Sequence, residues 1–268
     1  MSEPLPKFDA PPVIETVLGA QFAKLPNFSG AVAGWFWKKH LPSDWKKTKP
    51  APRLEDQFER FGPERKPEFR GAGIRVYSGD EPDRTQIIRG DEERMIQIQD
   101  SRFILNWRRG PSGYPSYAKL LPEFLQSFQK FSAFAAESEL DVVQANQWEV
   151  TYVNALERGE LWESPADWPR ILPGLYSPPA WGTQPLETQN AEWKFVIEED
   201  RGRLFISLRH GRTSMDGPDT LFLQITARGP VDVERSLEGG LNVGHEVIVR
   251  SFAAMTSTDA HKRWKRRA

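Results

Sequence analysis

Two stretches of this sequence follow one pattern, and that pattern constrains the fold more than any other feature. The first reads Phe103-Ile104-Leu105-Asn106-Trp107-Arg108-Arg109-Gly110-Pro111, the second Leu221-Phe222-Leu223-Gln224-Ile225-Thr226-Ala227-Arg228-Gly229-Pro230. In each, an apolar strand-forming run meets an Arg-Gly-Pro corner and is followed by a helical pattern whose last turns carry Phe and Ala. The elements around them match as well. The first half predicts a strand at 13–22, a helix at 28–40, strands at 69–78, 85–89 and 95–109 (broken near Asp100-Ser101), and a helix at 117–138. The second predicts a strand at 148–156, an interrupted helix at 163–175, a hairpin of 193–199 with 204–210, a strand at 221–226 and a helix at 231–256. The opening strands share a small match, Glu15-Thr16-Val17 against Glu149-Val150-Thr151.

The expectation is an α+β fold with an internally duplicated unit of strand, helix, three strands and helix. Its antiparallel sheets join, and its long helices pack on one face. The halves run 11–140 and 141–258 around one shared core, flanked by a flexible tail at 1–10 and a basic tail at 259–268. Local patterns support the elements. Ile14, Thr16, Leu18, Ala20 and Phe22 recur at period two. Leu120, Leu121, Phe124, Phe128, Phe131, Phe134 and Ala135 make a helical stripe, with Pro122 near its start. Proline-rich 41–70 reads as a surface excursion containing a short helix near 54–61. Asp232 is the expected cap of the last helix, and Gly239, Gly240 and Gly244 weaken its early half.

Composition narrows the chemistry. The 268 residues carry 36 basic and 37 acidic side chains, so no global field draws the chain to nucleic acid or membrane. Ten Trp and sixteen Phe predict an aromatic core. The absence of cysteine excludes disulfides, thiolate metal sites and a cysteine nucleophile. The four histidines are too far apart in sequence for a local metal motif, and none of the common phosphate-loop, zinc or nucleophile motifs occurs. Neither a signal peptide nor an apolar run near the ~18 residues of a membrane span is present, which predicts a cytoplasmic protein. No catalytic residue, cofactor or metal is expected.

Three constellations are candidates for binding. Arg209, His210 and Arg212 end a strand and enter a polar turn, where guanidiniums and backbone amides can hold an anion. Trp107, Arg108 and Arg109, with Asn106, Tyr114 and Tyr117 nearby, put aromatics and arginines at a strand-to-helix corner, able to stack on a base or clamp a phosphate. Lys38, Lys39, Lys46 and Lys47, with Lys262, Arg263 and Lys265 at the far end, are interleaved with Trp and would form a phosphate-gripping patch if they converged. Glu15 and Glu149 hold matching places in the two halves and are expected to face each other near a twofold axis.

The opening Pro11-Pro12-Val13-Ile14-Glu15-Thr16-Val17-Leu18-Gly19-Ala20-Gln21-Phe22 resembles the start of a sporadically distributed, functionally uncharacterised bacterial family of about this length. The likeness continues at Leu105-Asn106-Trp107, at Tyr114-Pro115-Ser116-Tyr117, at Thr151-Tyr152-Val153-Asn154, and from Phe252 to Trp264. It draws attention to the pair Tyr152 and Asn154. The resemblance implies no activity or cofactor; patchy distribution suits an accessory component of a mobile defence or toxin–antitoxin-like system.

The functional expectation is a non-enzymatic binding or partner protein that presents a sheet face to another protein. The alternatives are a nucleic-acid-binding protein using the Trp/Lys/Arg runs, and a small-molecule or anion-handling enzyme centred on Arg209–Arg212.

Overall fold

The computed structural model describes residues 3–59, 61, 84–175, 185–233 and 235–267. They form an α+β fold around one nine-stranded antiparallel sheet. The strands are β1 (Val13–Phe22), β2 (Trp45–Ala51), β3 (Arg84–Arg89), β4 (Arg94–Gln99), β5 (Arg102–Arg108), β6 (Ala145–Glu157), β7 (Ala191–Val196), β8 (Arg203–Arg212) and β9 (Asp219–Pro230). The helices are α1 (Gly30–His40), α2 (Tyr117–Glu137), α3 (Trp168–Ile171), α4 (Glu198–Arg201), α5 (Leu237–Met255) and α6 (Thr258–Arg263). Strand order across the sheet is β2-β3-β4-β5-β1-β6-β9-β8-β7, so the two opening strands, β1 and β6, lie side by side at its centre. The expected strand at 69–78 lies outside the described residues.

Alternation along the central strands builds two different faces. Ala20 pairs with Phe103 on one side and Trp148 on the other, and this row carries the aromatic core. The Phe stripe of α2 lands here: Phe131 meets Phe22 at 5.9 Å and Phe103 at 5.4 Å between ring centroids, and Phe124 meets Phe103 at 6.1 Å. Phe36 of α1 closes the cluster against Phe131 at 5.4 Å. Each fully buried Phe contributes roughly 1.5–3 kcal/mol of transfer free energy, so the stripe alone fixes which side of α2 faces the sheet. Pro122 lies inside α2, where it removes one early helical hydrogen bond and leaves the helix continuous to Glu137.

α5 is continuous from Leu237, contrary to the expectation that its glycines make the early half irregular. Those glycines are what let it dock. A Cβ on Gly240 would overlap the Trp148 ring, and one on Gly244 would stand 2.7 Å from it. The cap is Ser236 rather than Asp232; its hydroxyl accepts from the Gly239 N–H.

Other expectations are corrected by long-range pairing. Within the expected surface excursion of 41–70, β2 pairs with β3 as an edge strand despite Lys46, Lys47, Lys49 and Pro50. Lysines and proline suit such an edge, where they discourage pairing with another chain. Residues 52–59 are not helical. The second Arg-Gly-Pro triplet is not a corner, because Arg228-Gly229-Pro230 continues β9. Among the described residues, 7–10 and 264–267 are tied together. Phe8 bridges to Arg266, the Asp9 and Ala10 amides donate to the carbonyls of Lys265 and Trp264, and the Arg267 amide donates to Lys7. Trp264 is buried against Phe252.

Candidate functional site

Where the N-terminal segment crosses the ends of β1 and β6, it closes one wall of a cleft of about 780 Å³. That volume is in the range of small-molecule sites. One side is apolar, from Phe8, Val13, Ile248, Val249 and Phe252; the other carries Tyr114, Tyr117, Tyr152, Asn154 and His245.

The polar wall is a chain of hydrogen bonds. The Tyr114 hydroxyl donates to that of Tyr152 at 3.2 Å, and Tyr152 Oη lies 2.8 Å from His245 Nδ1. A neutral imidazole either accepts the Tyr152 proton at Nδ1 or donates its own proton there, since the Tyr152 oxygen has two acceptor lone pairs. Tyr117 stacks on the imidazole at 3.9 Å and 6°, with its hydroxyl donating to Asn242 Oδ1 at 3.1 Å. Beneath them Trp107 packs against Tyr114 at 5.1 Å.

Each group arrives from a different element. β6 aims Tyr152 and Asn154 to the same side; Asn154 is held by donating to the Leu223 carbonyl at 3.1 Å. α5 supplies His245 next to Gly244, so the close approach allowed by glycine sets the imidazole's height above the sheet. The corner after β5 supplies Tyr114. That corner is pinned by Glu93, whose carboxylate accepts from the Ser112 N–H at 2.9 Å and fills the space a Cβ on Gly110 would need. Ser116, the residue before α2, lines the cleft at φ 79 and ψ 153, a region suited to glycine, and its side chain makes no capping bond. Arg109 locks the rim by donating Nε to the Val13 carbonyl at 3.1 Å.

The polar wall is uncharged, whereas the rest of the lining carries Lys7, Arg109 and the ion pair of Arg267 with Asp9. Burial lowers the His245 pKa to about 4, with the neighbouring Glu246 opposing the shift. Burial also raises Tyr117, Tyr114 and Tyr152 above the ordinary phenol value. At neutral pH the wall therefore offers fixed, uncharged donors and acceptors. Among the described residues no group of three or more His, Asp or Glu is placed to hold a metal ion, and no helix is long and apolar enough to cross a membrane.

The residues singled out in the sequence are dispersed. Tyr152, Asn154 and Arg109 line the cleft, while Trp107 is buried under it and Arg108 is exposed. Arg209 pairs with Glu192 at 3.1 Å and Arg212 with Asp219 at 2.8 Å, while His210 sits against Trp168 at 5.0 Å; two of the three groups expected to hold an anion are already neutralised. The basic runs belong to separate elements. Lys38 lies over Trp37, Lys39 meets Glu137 at 3.4 Å, and Lys47 meets Glu92 beside Lys46 in β2. Lys262 pairs with Asp259 and Arg263 with Glu160, both at 3.0 Å, with Lys265 following α6. Glu15 stands opposite Val153 and Glu149 opposite Gly19, so the two carboxylates do not face each other.

His245 was not singled out as a site residue. Its signal was its place between Leu241 and Ile248 on the buried side of α5. No protein-family model matches the chain, and no curated protein sequence matches it.

Proposed function

We propose that this is a non-enzymatic binding protein whose cleft takes a small organic molecule with an apolar body and an uncharged polar head. The observation that carries this reading is the Tyr114–Tyr152–His245 chain forming one wall of a cleft of about 780 Å³. The head accepts from, or donates to, the tyrosines and imidazole, and the body lies against Phe8, Ile248 and Phe252. Proton transfer near neutral pH favours groups that titrate there. Here burial moves His245 down and the tyrosines up, which supports recognition over acid–base catalysis.

We further infer that the scaffold arose by internal duplication, with α2 and α5 as equivalent long helices on the same sheet face. The same sequence separation relates Arg108 to Arg228 and the helix-preceding Ser116 to Ser236. Glu15 stands opposite Arg108 as Glu149 stands opposite Arg228. On this reading the cleft is a feature of the junction between the halves, closed on one side by the N-terminal segment.

A thermal-shift screen of uncharged aromatic and carbonyl compounds tests the binding reading. Compounds that stabilise the wild-type protein should lose most of that effect with Tyr152→Phe, which keeps the ring and removes the hydroxyl. A shift unchanged by Tyr152→Phe places binding elsewhere.

A further inference from the structure

The sheet face opposite Ala20, Phe103 and Trp148 is polar, and it is built to hold a polypeptide main chain. The registers line up Gln99, Arg102, Gln21 and Gln147 across β4, β5, β1 and β6, with Arg228 and Arg203 beyond them in β9 and β8. Residues 53–59 cross this row. The Leu54 N–H donates to Gln99 Oε1 at 3.0 Å, and Gln99 Nε2 donates back to the Leu54 carbonyl at 3.0 Å. Gln21 Oε1 accepts from the Gln57 N–H at 3.1 Å. Gln147 Oε1 accepts from the Glu59 N–H at 2.9 Å while its Nε2 donates to the Gln57 carbonyl.

All five bonds go to main-chain atoms. A glutamine amide offers one acceptor and one donor side by side, the same pair a neighbouring strand presents, and such contacts are indifferent to sequence. From β4 to β6 is three strand spacings, ~14 Å, and the five steps from Leu54 to Glu59 reach at most ~18 Å, so the segment runs nearly extended.

Side-chain contacts are made at both ends and by Asp56, whose carboxylate accepts from Ser101 and from Arg53. Glu59 meets Arg203 and Arg228, and Arg53 meets Asp100. Between them Asp56, Gln57 and Phe58 are exposed, Phe58 by 54%, so little apolar burial holds the segment down. The row also has donors left over. Gln21 Nε2 and Arg102 Nε are buried and have no hydrogen-bond partner among the described residues. They line a small void with Gly19 and Glu149. Unpaired buried donors cost free energy until a ligand meets them.

We propose that this face is a receptor for an extended acidic segment of another protein, and that residues 53–59 are its resident, displaceable occupant. The incoming segment binds the glutamine row through its main chain and places a carboxylate in the Glu59 position between Arg203 and Arg228. This site is separate from the cleft and stands independently of it.

Fluorescence anisotropy with a labelled peptide of residues 53–59 tests this. The full chain carrying Glu59→Gln, which weakens the resident segment, should bind the peptide about tenfold tighter than the wild-type chain. Adding Gln147→Leu, or replacing the peptide's last Glu by Gln, should reverse the gain. Absence of saturable binding to a folded Glu59→Gln chain overturns the proposal, as does binding indifferent to Gln147→Leu. Concentration-dependent dimerisation without peptide binding overturns it in favour of exchange between copies. Native-state hydrogen exchange on the wild-type chain gives an independent check. The amides of Leu54, Gln57 and Glu59 should open without global unfolding; exchange only through global unfolding contradicts a displaceable segment.

Discussion

A Cβ on Gly244 would stand 2.7 Å from Cζ3 of Trp148, and this missing atom sets how closely α5 rides on the sheet. Gly229 and Gly202 make similar room for the same indole. Alanine at Gly240 or Gly244 gains helix propensity of ~1 kcal/mol but must push a fully buried ring, and overpacking of this kind costs ~1–3 kcal/mol or more. Both variants should be net destabilised by denaturant melts. Gly34→Ala is the control: it sits within α1 with nothing within 4 Å of its Cβ position, and should gain about 0.5–1 kcal/mol.

The burial of His245 has a pH consequence. In the unfolded chain the imidazole takes a proton as pH falls through 6.5, whereas in the folded protein it stays neutral down to about 4. Between these values the unfolded state binds more protons, so stability is complete above 6.5 and is lost as pH falls toward 4. The loss should be on the order of 2 kcal/mol after screening is allowed for. His40 and His261, also lowered by burial, act in the same direction. In melts from pH 7 to 4.5, the advantage of the wild-type protein over His245→Gln should shrink steadily; a constant gap would contradict the burial of a neutral ring.

Ser116 holds its φ of 79 without a capping bond to compensate. Ser116→Gly should stabilise the protein by about 1 kcal/mol, raising Tm by roughly 2–4 °C, whereas Ser116→Ala should not. Calorimetry distinguishes the two.

Glu59 places a carboxylate, 5% exposed, between Arg203 and Arg228. Its removal in Glu59→Ala takes a counter-charge from two buried guanidiniums and should cost about 3 kcal/mol. The solvent-exposed pair of Lys262 and Asp259 offers the contrast: Lys262→Ala should change stability by less than about 1 kcal/mol. Chemical denaturation of both variants measures the difference.

Legibility in the sequence followed locality. The Phe stripe of α2, the alternation of β1 and the break at Asp100-Ser101 are local patterns and lie where they were expected. β2 was hidden because its lysines and proline answer to an edge position, a property of the whole sheet. The short helix expected near 54–61 is absent from residues 54–59, whose main-chain bonds go to glutamines from β1, β4 and β6. Tyr152 stood out in the sequence only within Thr151-Tyr152-Val153-Asn154, and Tyr114 through its place after the Arg-Gly-Pro corner. His245 was not visible, since its partner Tyr152 lies on another element. The glycines of α5 were read for their propensity, whereas their role is steric, toward an indole far away in sequence.

Native mass spectrometry of the full chain purified gently from its own cells, beside a Tyr152→Phe, His245→Leu double variant, shows directly whether the cleft holds a small molecule. The wild-type protein should carry a small-molecule adduct that is absent or strongly depleted in the folded double variant. An adduct of equal occupancy on both would contradict the cleft as the binding site.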